Sequence, residues 1–188
     1  MPPDAVHAVT LTCHPDTRFD AVHALRACVS RQGGSRLAVT YVLEGDLGRV
    51  RVPPRRAPRR AHALWQHTCC EMFIACKGTA SYHEFNFSPS GQWAAYAFDG
   101  YRSPRENESS AGLPAPDLTV RAAPGNLELD AVIRLDALSP LYPAAPLKLA
   151  VSAVIEDSGG ALSYWALRHP AGKPDFHHPE SFALELEA

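Results

Sequence analysis

Methionine is scarce: Met1 and Met72 are the only two in a chain of 188 residues. A Met/His haem site therefore has one candidate, Met72. It sits among apolar residues in "CCEMFIAC", where a flexible thioether more simply fills core gaps. Charge of one sign is missing as well. The formal net charge is −2, so neither nucleic acid nor an anionic membrane is an expected partner. No apolar run approaches the ~20 residues of a membrane span. The opening "MPPDAVHAVTLTCHP" has neither the basic nor the apolar region of a signal peptide. Five cysteines form no CxxC pair, and Cys69 and Cys70 are adjacent. The expectation is a cytoplasmic chain whose reduced cysteines are packing residues. With no GxSxG elbow and no HExxH pair, no catalytic motif stands out and no cofactor is expected.

Proline and glycine are plentiful, 17 and 12, and they punctuate short apolar runs. That spacing predicts many strands joined by turns. His7, Val9, Leu11 and Cys13 alternate with polar or small residues. "AVHALRACVSRQ" is read as a strand because Gly33-Gly34 opens a hairpin into "RLAVTYVLEGD", where Leu37, Val39, Tyr41 and Leu43 face one way. "PPRRAPRRA" is a loop, since its prolines remove backbone donors. Its four arginines, Arg55 to Arg60, suit a solvated loop or a docking patch.

"TCCEMFIAC" is apolar on both faces, as in a central strand. Glu71 is its exception, and a carboxylate there needs a partner or a shifted pKa. In "SYHEFNFS", Tyr82, Glu84, Asn86 and Ser88 share one face. Pro89 to Gly91 form a tight turn into the strand "QWAAYAFDGYR". Ser103 to Pro116 is a polar loop without periodicity, the best candidate for mobility. Two hairpins follow, turning at Pro124–Asn126 and Asp157–Gly160, and "SFALELE" closes the chain as a strand. About ten strands with no long helix predict an all-β fold. The layout expected is one antiparallel β-sandwich domain over residues 1–188, jelly-roll or immunoglobulin-like.

"LWQHTCCEMFI" followed by "YHEFNFSPSGQWAAYAFDGYR" resembles the DOMON-like proteins related to family-nine carbohydrate-binding modules. Trp65, Glu71, Phe85, Asn86, Ser88, Pro89, Ser90 and Gly91 carry the likeness. The ending "YWALRHPAGKPDFHHPESFALEL" is similar to the end of such bacterial proteins. The resemblance implies a jelly-roll-like sandwich that binds a sugar or, in some branches, haem. It implies no particular reaction. One departure is that His67 and Thr68 stand where the modules often place an acidic residue.

Sugars are held by aromatic faces together with amide, carboxylate and cationic groups. The candidate ligand-binding residues are Trp65, Glu71, Glu84, Asn86, Trp93, Arg102, His169, Lys173, Asp175 and His177. Trp65 follows a polar loop and is the tryptophan expected to be most exposed. Glu71 and Glu84 can form an acid/base pair, or be tied by Arg51, Arg102 or Arg134 as a structural network, which is the simpler reading. "RHPAGKPDFHH" brings His169, Asp175 and His177 within reach of a metal or of acid/base chemistry. Adjacent His177 and His178 cannot both serve one site on an extended chain. The leading expectation is a non-catalytic module for a carbohydrate or other small polar ligand, with no metal. The alternatives are an enzyme on a sugar or cell-wall metabolite using His169, Asp175 and His177, and a protein-interaction sandwich.

Overall fold

The computed structural model describes residues 5–105 and 112–188. The heart of the expected mobile loop, 106–111, lies outside the described residues, as do residues 1–4. Thirteen strands occur among the described residues: β1 (Val6–Cys13), β2 (Val22–Gln32), β3 (Arg36–Gly45), β4 (Arg59–Arg60), β5 (Cys69–Cys76), β6 (Tyr82–Phe87), β7 (Gln92–Gly100), β8 (Ser103–Pro104), β9 (Asp117–Ala123), β10 (Asn126–Arg134), β11 (Leu147–Glu156), β12 (Leu162–Ala166) and β13 (Leu184–Leu186). A single α-helical turn, α1 (Leu135–Leu138), and several 3-10 turns connect them.

The strands make one continuous, mostly antiparallel sheet in the order β4-β7-β6-β5-β11-β12-β1-β2-β3-β10-β9. Continuity comes from β1. Its residues Val6 to Leu11 pair with β2, while Thr12 and Cys13 pair with β12. The sheet curls like a half-barrel, so the expectation of an all-β chain is met. β13 pairs with Leu147–Leu149 of β11, just beyond the stretch that β12 occupies. β12 is an interior strand, paired with β11 on one side and with β1 on the other.

Alternation decides what each strand buries. Leu37, Val39, Tyr41 and Leu43 of β3 point inward, as do Leu127, Leu129, Ala131 and Ile133 of β10. They meet Met72 and Ile74 of β5 and Phe85 and Phe87 of β6 in one core. The Tyr41 hydroxyl crosses this core and donates to the Glu71 carbonyl at 2.7 Å. Gly33 and Gly34 have φ of 55° and 75°, a left-handed pair that suits a tight hairpin between β2 and β3. At Gly45 a Cβ would lie 2.1 Å from the Ala21 carbonyl oxygen, so only glycine lets the two backbones approach.

The arginine loop is partly anchored. The Arg56 amide donates to the Ser90 carbonyl and the Arg55 guanidinium to that of Pro89, which covers the buried Ser88–Gly91 turn. Arg60 stacks 4.4 Å above the Trp93 ring and donates to the Leu113 carbonyl. Its backbone forms the short parallel β4 against β7.

Candidate functional site

β5 and β6 are buried on both faces. One face meets the core above. The other carries Glu71, Phe73, Glu84 and Asn86, and the C-terminal loop folds over it. Register sets the arrangement: Glu71 lies opposite Asn86, Phe73 opposite Glu84, and Glu84 in turn opposite Tyr96 of β7. On the other side Ser152 of β11 faces Glu71. The two carboxyls are thus diagonal neighbours on one face.

Over this face lies a cavity of about 780 Å³, lined by Trp65, Glu71, Glu84, Tyr96, Phe98, Arg102, Tyr164, Lys173, Phe176 and His177, among others. Its size suits a small ligand. Trp65 sits in a 3-10 turn, Leu64–Gln66, entered through Ala63 at φ 56°. It is 47% exposed, whereas Trp93 and Trp165 are each 7% exposed. The likeness of Trp65 to an open aromatic platform therefore does not extend to the other two. Trp93 is packed in the main core beneath Arg60 and does not line the cavity.

Both carboxyls are almost fully enclosed, Glu71 at 3% and Glu84 at 5% exposure. Burial, reinforced by the charge of Glu84, pushes the Glu71 carboxyl well above its usual range. Burial also raises Glu84 to about 7, against the lowering pull of the Asn86 hydrogen bond and Arg102. Asn86 donates from Nδ2 to Glu84 Oε1 at 2.7 Å. Glu71 Oε1 is buried without a hydrogen-bond partner.

The arginine network expected for this pair does not form. Arg51 binds Glu156 at 2.6 Å, Arg102 binds Asp175 at 2.8 Å and Arg134 binds Asp136 at 3.1 Å. Each of these arginines is turned to a different acid instead. Glu156 itself is buried and also meets His67 Nδ1 at 2.7 Å, an ion cluster that sequence reasoning missed.

The loop "RHPAGKPDFHH" disperses its histidines. His169 Nε2 meets the Thr12 carbonyl at 2.8 Å, and its ring packs edge-on against His14 at 5.0 Å. His14 in turn reaches the Gly172 carbonyl. These contacts fasten the start of the loop to β1. Asp175 accepts from the Tyr101 hydroxyl at 2.5 Å, from Arg102 and from the His177 amide. Burial opposes ionisation of Asp175, but these bonds outweigh it and hold the carboxyl below its usual value. His178 caps the 3-10 turn Pro179–Ser181 by accepting from the Glu180 amide. The side chains of the three residues foreseen as a metal or acid/base set, His169, Asp175 and His177, thus go to separate partners, although the Asp175 carboxylate also accepts from the His177 amide. Among the described residues no three His, Cys, Asp or Glu side chains gather as a metal-binding group.

Of His169, Asp175 and His177, only His177 lines the cavity. It sits between Phe73 and Phe98, with ring centroids 5.0 and 5.1 Å away. Burial and the Arg102 charge lower its pKa to about 4, so the ring is neutral at pH 7. Tyr82 accepts from the Arg102 amide and meets His177 Nδ1 at 2.8 Å. With Tyr82 donating to Nδ1, the ring proton lies on Nε2, turned toward Glu84 Oε2 at 3.6 Å. That gap is too long for a hydrogen bond. His177 also lines a second cavity of about 370 Å³ beside Gly78, Tyr101, Lys148 and Phe182, and so forms part of the wall between the two.

Of the ten candidate residues, Trp65, Glu71, Glu84, Arg102, Lys173 and His177 line the main cavity. Asn86 and Asp175 hold lining residues in place. Trp93 and His169 are elsewhere. Sequence reasoning missed the aromatic wall of Tyr96, Phe98, Tyr164 and Phe176. The signal was available for β7. A tight Ser88–Gly91 turn pairs Phe87 with Trp93, which sends Trp93 inward with Phe87 and Tyr96 outward with Glu84.

No family model matches the chain, and no curated protein does. Among solved structures the chain is similar to a candidate carbohydrate-binding protein from Bacteroides uniformis. The TM-score is 0.61 at 14% identity, over 94% of this chain and 83% of that one. It is also similar to a family-nine carbohydrate-binding module from Caldicellulosiruptor kristjanssonii, seen with glucose at TM-score 0.55 and 9% identity, over 87% of this chain and 75% of that one. The cellotriose complex of a family-nine module from the same organism matches at 0.53 and 9%, over 89% and 75%. At these identities the likeness shows the fold.

Proposed function

We propose that the chain is a non-catalytic carbohydrate-binding module whose ligand lies between Trp65 and the Glu71–Glu84 floor. One observation carries the reading: a half-exposed tryptophan stands beside a roomy cavity whose floor presents buried carboxyls. An aromatic face stacks on sugar C–H groups, and carboxyl and cationic groups bond its hydroxyls. Solved neighbours that bind glucose and cellotriose support the sugar class.

The finer expectations belong with this proposal. A jelly-roll sandwich layout is supported by the single core shared by the inward faces of both halves, and the DOMON-like relation by the motif around Glu71 to Gly91. A single domain and a cytoplasmic setting complete the reading, the latter supported by five free cysteines. Calorimetric titration of the full chain with glucose, cellotriose and a broader glycan panel tests the function. Saccharide binding that Trp65→Ala abolishes supports it. Silence across the panel rejects it.

A further inference from the structure

The cavity floor holds two carboxyls; among the described residues neither is ion-paired to a lysine or arginine, although the Arg102 charge pulls on Glu84. Glu71 and Glu84 are diagonal neighbours on one face, both enclosed, and Glu71 Oε1 has no hydrogen-bond partner. Directly opposite Glu71, the buried Ser152 hydroxyl also lacks a partner. The nearby cations are spent or distant. Arg102 is held by Asp175, His177 is a neutral ring, and Lys173 is exposed at the mouth. Cys69, Tyr82 and Tyr96, further titratable neighbours of the two carboxyls, are all raised by burial.

Burial without a counter-charge disfavours ionisation of these carboxyls, and a cation supplied by a ligand offsets that cost. A sugar hydroxyl brings one O–H donor and no charge. An ammonium brings three N–H donors and a full charge. Aromatic faces flank the same space through Trp65, Tyr96 and Tyr164, and such faces attract cations.

We propose that the Glu71–Glu84 floor selects a saccharide bearing a primary amine, received as its ammonium between the two carboxyls. This rests on the saccharide reading above and names the group recognised.

The test is calorimetric titration of the full chain at pH 7 with methyl glucoside, methyl glucosaminide, its N-acetyl derivative and cyclohexylamine. The glucosaminide should bind about tenfold or more tighter than the glucoside, an effect expected of one desolvated charge pair. N-acetylation removes the charge and should return the affinity to that of the glucoside. Glu71→Gln and Glu84→Gln should each bring the amine-to-hydroxyl ratio toward unity; should either fail to fold, the wild-type ratios decide alone. Equal binding of the three sugars overturns amine selection and leaves the saccharide reading standing. Cyclohexylamine binding with every sugar silent keeps the amine pocket and overturns the saccharide reading. Silence of all four probes overturns the amine proposal, and the glycan panel then decides the saccharide reading.

Discussion

His177 Nε2 stands 3.6 Å from Glu84 Oε2, and this approach joins the C-terminal loop to the floor of the cavity. Both groups are shifted toward neutrality, Glu84 from 4.5 up to about 7 and His177 from 6.5 down to about 4. Enclosure disfavours the charged form of each, and the pair has opposite consequences for stability.

A carboxyl raised in the fold binds its proton more tightly there than in the unfolded chain, so stability falls as pH climbs from 4.5 to about 7. Glu71 adds to the same trend. A histidine lowered in the fold acts the other way: stability falls as pH drops from 6.5 to about 4. Glu84→Gln should therefore gain roughly 1–3 kcal/mol relative to wild type between pH 4.5 and 8. Urea unfolding midpoints across that range measure it. A constant offset would show that Glu84 is not shifted.

Asp175 clamps Tyr101, Arg102 and the His177 amide. Asp175→Ala should cost about 1–2 kcal/mol, discounted because Arg102 is half exposed. Hydrogen exchange should quicken at the His177 amide before any change in β5 or β6. Uniform exchange across the chain would contradict a local clamp.

Tyr41 reaches across the core to the Glu71 carbonyl. Tyr41→Phe should cost about 1–2 kcal/mol in chemical denaturation, the usual effect of orphaning one buried hydrogen-bond partner. A neutral result would mean that the bond does not tie the two halves of the sheet.

Much of the fold was readable in advance because alternation is a local property. The parity of "TCCEMFIAC" and "SYHEFNFS" put Glu71 on one face with Cys69 and Phe73, and Glu84 on one face with Tyr82 and Asn86, as the register shows. Gly33-Gly34 and Asp157–Gly160 marked their hairpins because those residues turn the chain by themselves. Which acid meets which arginine was not readable. Arg51, Arg102 and Arg134 each find a partner on a different element or turn, and sequence pattern says nothing of that. The loop at 168–178 shows the same limit. Its prolines and glycine set its bends, yet docking of His169 on Thr12 and of His177 among Phe73 and Phe98 depends on distant strands.

Amide and indole NMR shifts of the nitrogen-15-labelled chain, titrated with the tightest-binding saccharide of the panel, test the central claim most directly. The account predicts movement of the Trp65 indole and of amides in β5, β6 and residues 173–177, while the Trp93 and Trp165 indoles stay in place. Shifts confined to β2, β3 and β10, or none with any saccharide, would contradict it.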